Sequence, residues 1–205
     1  MHETEARQQI VDLAASLFQR GFSVGTAGNI SVRLSSGYLM TPTNSSLGRL
    51  DADRLSLLDA DWQHVGGDRP SKEVVMHRAM YDARPGARAI VHLHSPHVTA
   101  LSCLRTGDGP LIPPLTPYFV MRLGREVPLV RYYRPGDPQM EAEIREQGRR
   151  GAALILSNHG SLVAGDSLEG AVNAAEELEV TAQLALLLEG RAVRPLSEDE
   201  VAELL

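Results

Sequence analysis

Two short apolar runs in this chain end in histidine. Ala89-Ile90-Val91 leads into His92-Leu93-His94, and Ala152-Ala153-Leu154-Ile155-Leu156 is followed by His159. Side chains alternate between the faces of a β-strand, so His92 and His94 point to the same side. A third imidazole arriving from another strand end can complete a three-histidine face with an open coordination position. A catalytic zinc site has that form, whereas a structural site is closed. On spacing alone a second reading stays open: three ordinary histidines, packed or solvated near strand ends.

The 205 residues are 43% hydrophobic and 22% charged, which predicts one globular domain over residues 1–205 with a real core. A net charge of −6 and the lack of a Lys/Arg tract exclude nucleic acid as an expected partner. The single cysteine, Cys103, allows no intramolecular disulfide and reads as a small buried apolar residue. Without a CxxC pair, any metal must rest on histidines and carboxylates. The polar, acidic start is unlike a signal peptide, and no apolar run nears the ~18 residues of a membrane span. The expectation is a soluble cytoplasmic protein with no membrane partner.

Apolar spacing predicts a helix over 3–20, with Ile10, Leu13, Ala14, Leu17 and Phe18 on one face. A hairpin follows over 30–41, then a polar loop over 41–50. Ser71 suits the N-cap of a helix over 72–83. Strands are expected at 87–94, 127–131, 152–157 and 162–164, and helices after Pro96 and over 138–149. The longest helix spans 166–189, where Asp166 and Glu169 have capping-box spacing. A short helix starts near Ser197. This order predicts a single three-layer α/β/α domain with a mostly antiparallel central sheet.

Three further features can carry chemistry. Glu73, in the first turn of its helix, reads either as a carboxylate favoured by the helix dipole or as an acid/base or metal-bound group. The turn Gly25-Thr26-Ala27-Gly28-Asn29, with Thr43-Asn44-Ser45-Ser46 and Ser71, offers N–H and O–H donors that can hold a phosphate. Each turn alone also reads as an ordinary loop, and neither a Walker A nor a GxGxxG pattern is present. His97 reads as packing or as a group behind the ligands, and His77 is a weaker candidate than the three histidines. His2 and His64 read as solvated.

In chain order, Gly25-Thr26-Ala27-Gly28-Asn29-Ile30-Ser31, Thr41-Pro42-Thr43, Ser71-Lys72-Glu73, His92-Leu93-His94-Ser95 and Asn158-His159-Gly160 resemble the class II aldolase/adducin family. Within it, Phe18-Gln19-Arg20-Gly21, Leu101-Ser102-Cys103-Leu104, Met121-Arg122-Leu123-Gly124 and Tyr132-Tyr133-Arg134-Pro135-Gly136-Asp137 resemble the 3-oxo-tetronate 4-phosphate decarboxylases. Aldolases of the family tend to carry Ser-Ser before the glutamate, where this chain has Ser71-Lys72.

The resemblance implies one Zn2+ or another divalent metal on His92, His94 and His159. Glu73 would be the acid/base group and a ligand when substrate is absent. Gly28, Asn29, Thr43, Asn44, Ser71 and Lys72 would bind phosphate. It also implies a homotetramer and a metal-dependent lyase that decarboxylates 3-oxo-tetronate 4-phosphate to dihydroxyacetone phosphate through a zinc-stabilised enediolate. Tyr118, Arg122 and Lys72 are candidate contacts for the substrate carboxylate, and Arg122 reads rather as a solvated surface cation. A sugar-phosphate aldolase is the nearest alternative, and a non-catalytic adducin-like module the next.

Overall fold

The computed structural model describes residues 2–104, 110–134 and 137–205. Met1 lies outside them, as do Pro135 and Gly136 of the Tyr132–Asp137 segment. In chain order the elements are α1 (Glu3–Gln19), β1 (Asn29–Arg33), β2 (Tyr38–Met40), β3 (Ser56–Leu58), β4 (His64–Gly66), α2 (Val74–Ala83), β5 (Ala89–Leu93) and α3 (Pro96–Ser102). Then come α4 (Pro117–Leu123), β6 (Leu129–Val130), α5 (Pro138–Arg150), β7 (Ala153–Leu156), β8 (Gly160–Gly165), α6 (Leu168–Leu187) and α7 (Glu198–Ala202).

The strands form one sheet in the order β4-β3-β2-β1-β5-β8-β7-β6. Every neighbouring pair is antiparallel except β6 with β7. Strand alternation divides the core in two. In β5, Ala89, Val91 and Leu93 join the apolar cluster built from α1, α3, α4 and α6. Ile90 faces the other way, into the cluster built from α2 and α5. Helices therefore cover both faces, the expected three-layer arrangement. His92 shares the parity of Ile90 and faces the α2 side.

Several local expectations need correction. Helix α2 starts at Val74, and Ser71 is not its N-cap: its Oγ accepts from the Glu73 N–H at 3.2 Å, within a turn. A serine hydroxyl binds the backbone two residues on in a turn as well as at a cap. Glu73 thus stands just before α2 rather than inside its first turn. Helix α6 is capped by Ser167, which accepts from the Gly170 N–H, rather than by an Asp166–Glu169 box. Ser167 has the extended backbone that an N-cap requires. Cys103 is exposed, because it flanks the end of α3 beyond the last buried residues, Leu101 and Ser102.

The sequence reading has no counterpart for β3, β4 or α4. The two strands have three residues each, too few to show a period. Helix α4 lies in a proline-rich stretch, but Pro117 sits in its first turn, where the missing N–H costs nothing. Thr116 caps it by accepting from the Phe119 N–H at 3.2 Å. Among the described residues, no helix is long and apolar enough to cross a membrane.

Candidate metal centre

Two glycines let the strand ends converge. Gly28, at φ +79°, lies where a Cβ would sit 2.9 Å from the His92 carbonyl oxygen. Gly160 opens β8 where a Cβ would collide with the Leu93 carbonyl. Leu93 pairs with Ser161 across β5 and β8, so the preceding turn delivers His159 beside His94.

His92, His94, His159 and Glu73 each bring one ligand atom within 4.8 Å of the other three. The imidazole rings stand edge to face, with centroids 4.6–4.9 Å apart. Nε2 of His92 lies 2.9 Å from Nε2 of His94. The Glu73 carboxylate reaches both sides, with Oε2 3.5 Å from His92 Nε2 and Oε1 3.3 Å from His159 Nε2. His92 Nδ1–H donates to the Ser161 carbonyl at 2.7 Å, which leaves Nε2 as an acceptor aimed into the cluster. Three imidazoles and a carboxylate converging in this way fit a divalent metal ion.

The electrostatics agree. Burial pushes the Glu73 carboxyl up, but the electrostatic influence of His92 and hydrogen bonds from His159 and Asn29 outweigh it. The group is held well below the usual carboxylate range. Burial pushes His92 down to about 4 against the influence of Glu73, and it lowers His94 as well. A carboxylate beside neutral His92 and His94 is the protonation state that metal binding requires.

The other candidates divide. Asn29 is buried beside the cluster, and its Nδ2–H donates to Glu73 Oε2 at 2.6 Å. Ser71 is tied to the Glu73 backbone, while Lys72 is exposed. The Thr43 N–H donates to the Arg69 carbonyl at 2.9 Å, two residues before Ser71. Thr43 and Asn44 line a cavity of about 300 Å³ with Thr26, Ser46 and Arg49; Gly28, Asn29, Ser71 and Lys72 are not part of that lining. The Ser46 Oγ is buried without a partner.

Tyr118 is 63% exposed on α4, whose buried residues pack on the opposite face of the sheet from His92. Within one chain it is not brought to the cluster. Arg122 is exposed on the same helix. His97 turns away from the cluster, with Nδ1 2.8 Å from Glu179. His2 and His64 are exposed.

Sequence reasoning underrated His77 and missed Ser31. Both are fully buried, with His77 Nε2 2.6 Å from Asn29 Oδ1 and His77 Nδ1 2.7 Å from Ser31 Oγ. The signal was present in two spacings: Glu73 and His77 are four residues apart, and Asn29 and Ser31 are two apart on a strand.

Burial pushes His77 down to about 3. An unfolded chain protonates it near pH 6.5. Below that pH the unfolded state binds a proton that the fold excludes, so stability present at neutral pH is lost as the pH falls. The expected slope from this group is at most about 1.4 kcal/mol per pH unit. Urea unfolding at about pH 7 and about pH 5 should show a flatter dependence in His77→Gln. Parallel lines for the two proteins would contradict a neutral, buried His77.

Comparison with known proteins agrees with this architecture. The model of the Class II Aldolase and Adducin N-terminal domain matches residues 8–186. A protein of Haemophilus influenzae named 3-oxo-tetronate 4-phosphate decarboxylase is 47% identical over 206 residues, covering 100% of this chain and 98% of its own. The L-fuculose phosphate aldolase of Escherichia coli is 33% identical over 207 residues, covering 100% of this chain and 94% of its own. The crystal structure of YgbL from Escherichia coli superposes with a TM-score of 0.94 at 48% identity, over 98% of both chains. With the sheet, the converged histidines and matches along nearly its whole length in agreement, the chain belongs to the class II aldolase and adducin N-terminal domain family.

Proposed function

We infer that the chain is a metal-dependent carboxy-lyase acting on 3-oxo-tetronate 4-phosphate. The observation that carries this reading is 47% identity over the full chain to a decarboxylase of that name, against 33% to an aldolase. The Glu73, His92, His94 and His159 cluster supports a lyase over a non-catalytic module. His92, His94 and His159 would hold the ion, with Glu73 completing the set when substrate is absent. Zinc suits this donor set. A bound divalent ion would supply Lewis-acid stabilisation of the negative charge that develops on the substrate oxygens.

The substrate is a β-keto acid with a hydroxyl at C2. Breaking the C1–C2 bond releases carbon dioxide and leaves the electron pair at C2, delocalised as an enediolate. One proton added at C2 then gives dihydroxyacetone phosphate. Glu73, directly or through an ordered water, would govern that proton. Gly28, Asn29, Thr43, Asn44, Ser71 and Lys72 are assigned to the phosphate. The unpartnered Ser46 hydroxyl, in the cavity that Thr43 and Asn44 line, supports a polar pocket at those two residues, while the Asn29 amide is turned to Glu73 and His77. A role in sugar-acid catabolism fits the substrate class, and a cytoplasmic location is part of the same reading. A homotetramer is also part of this reading; the exposed Tyr118 and Met121 on α4 would suit a second copy. In such an assembly Tyr118 could reach a neighbouring site.

The test is product analysis with the metal-loaded enzyme. The keto acid phosphate should release carbon dioxide, and ketose 1-phosphates should release no aldehyde. Aldehyde from ketose 1-phosphates without carbon dioxide from the keto acid would move the reading to aldolase. The dephosphorylated keto acid should lose about 100-fold in kcat/KM, roughly 2.8 kcal/mol of charge-assisted binding. Equal values for both substrates would reject the phosphate pocket.

A further inference from the structure

Behind Glu73 runs a buried polar chain that the reaction as described does not use. Helix α2 covers the face of β1 that carries Asn29 and Ser31, and His77 reaches both of them. Glu73 precedes the same helix by one residue and receives the other end of the Asn29 amide at 2.6 Å. His77 and Ser31 are fully buried, and Asn29 is 4% exposed.

The hydrogens of this chain follow from the acceptor at its end. A carboxylate only accepts, so Asn29 must present its NH2 group to Glu73 Oε2. Its carbonyl oxygen then faces His77 and needs a donor, so His77 carries its proton on Nε2. His77 Nδ1, bare in the neutral ring, accepts from the Ser31 hydroxyl. With a neutral ring this run has one consistent set of roles, and reversing any of them sets like groups against each other; the Tyr81 hydroxyl, 3.3 Å from Ser31 Oγ and 3.2 Å from the Ser31 carbonyl, then donates to Ser31 rather than accepting from it. A buried polar group left unmatched is costly, so an imidazole in this position must be used by its neighbours.

We propose that His77 is a positioning residue for Glu73. Through Asn29 it holds Oε2 of the carboxylate in one place and leaves Oε1 on the side of His159, facing the reacting centre. A freely turning carboxylate would meet C2 in many orientations, whereas this chain presents one. The inference rests on the acid/base reading of Glu73. It adds that the group's aim is set from a residue that touches neither metal nor substrate.

The experiment uses metal-loaded enzyme labelled with 15N-histidine, with the His77 signals assigned by their loss in His77→Gln. Nε2 should resonate as a protonated nitrogen and Nδ1 as a bare one. The opposite tautomer, or an imidazolium at neutral pH, overturns the proposal. Kinetics provide the second arm. His77→Leu should lower kcat roughly tenfold or more, a part of the 10²–10⁴ that a positioned acid or base supplies. Its KM should stay within about twofold, with metal content unchanged.

His77→Gln, which keeps an N–H donor for Asn29, should recover kcat to within about threefold of the native enzyme. In an Asn29→Ala background, His77→Leu should cost nothing further, since the chain is already cut. A glutamine variant as slow as leucine, or losses that multiply in the double variant, would also overturn the proposal. If His77→Leu does not fold, the tautomer and the glutamine variant decide. Failure of the underlying reading looks different: a near-normal kcat in Glu73→Gln removes the acid/base role and leaves the tautomer result standing.

Discussion

His94→Ala is expected to lose its bound metal and to lower kcat/KM on the order of a thousandfold, about 4 kcal/mol of transition-state stabilisation. Nε2 of His94 lies 2.9 Å from Nε2 of His92, and the two rings stand edge to face. Removing one imidazole leaves two histidines and a carboxylate that must also serve the proton. His92→Ala should have the same effect with a larger stability cost, because His92 is fully buried and its loss removes the hydrogen bond to the Ser161 carbonyl. Elemental analysis checks the metal, and thermal unfolding separates ligand loss from fold loss. A folded His94→Ala protein with full metal content would sink the ligand assignment, whatever its activity.

The histidine set was legible because two separate periods expose it. The strand alternation that buries Ala89, Val91 and Leu93 on one side sends Ile90 and His92 to the other. The apolar run before His159 marks a second strand. What a linear reading could not supply was the distance between those strands. Their adjacency as β5 and β8 depends on sheet order, and the close approach of their ends depends on Gly160.

The helix start at Ser71 misled for a local reason. A hydroxyl two residues before a backbone N–H satisfies a turn and a cap alike, and only the backbone angles of Glu73 decide between them. His77 was underrated for the opposite reason. Its meaning depends on Asn29 and Ser31, which are 48 and 46 residues away in the chain. The residues proposed for the phosphate lie between these cases. Thr43 and Ser71 come near through the pairing of Thr43 with Arg69, but Asn29 is engaged with Glu73 rather than with that cavity.

Glu73→Gln should keep the fold and the binding of substrate while lowering kcat by roughly 10²–10⁴-fold. Glutamine is nearly isosteric, and its carbonyl oxygen can still accept from Asn29 Nδ2. The change therefore removes a charge and a proton-transfer group rather than a packing element. KM should change little, because the phosphate is assigned to other residues and Glu73 completes the ion's ligand set only when substrate is absent. Loss of carbon dioxide from a β-keto acid needs no base to remove a hydroxyl proton, so the defect should fall on the proton added at C2. In heavy water the native enzyme should deliver a deuteron to one face of C2 and give one stereoisomer of monodeuterated dihydroxyacetone phosphate. The glutamine variant should give a mixture, since solvent then reaches either face. The carboxyl, held well below its usual range by His92, His159 and Asn29, is ionised at neutral pH. In that state it can order a water for this delivery or take up and return a proton itself. A Glu73→Gln enzyme with near-normal kcat and one stereoisomer as product would remove Glu73 from the proton-transfer step.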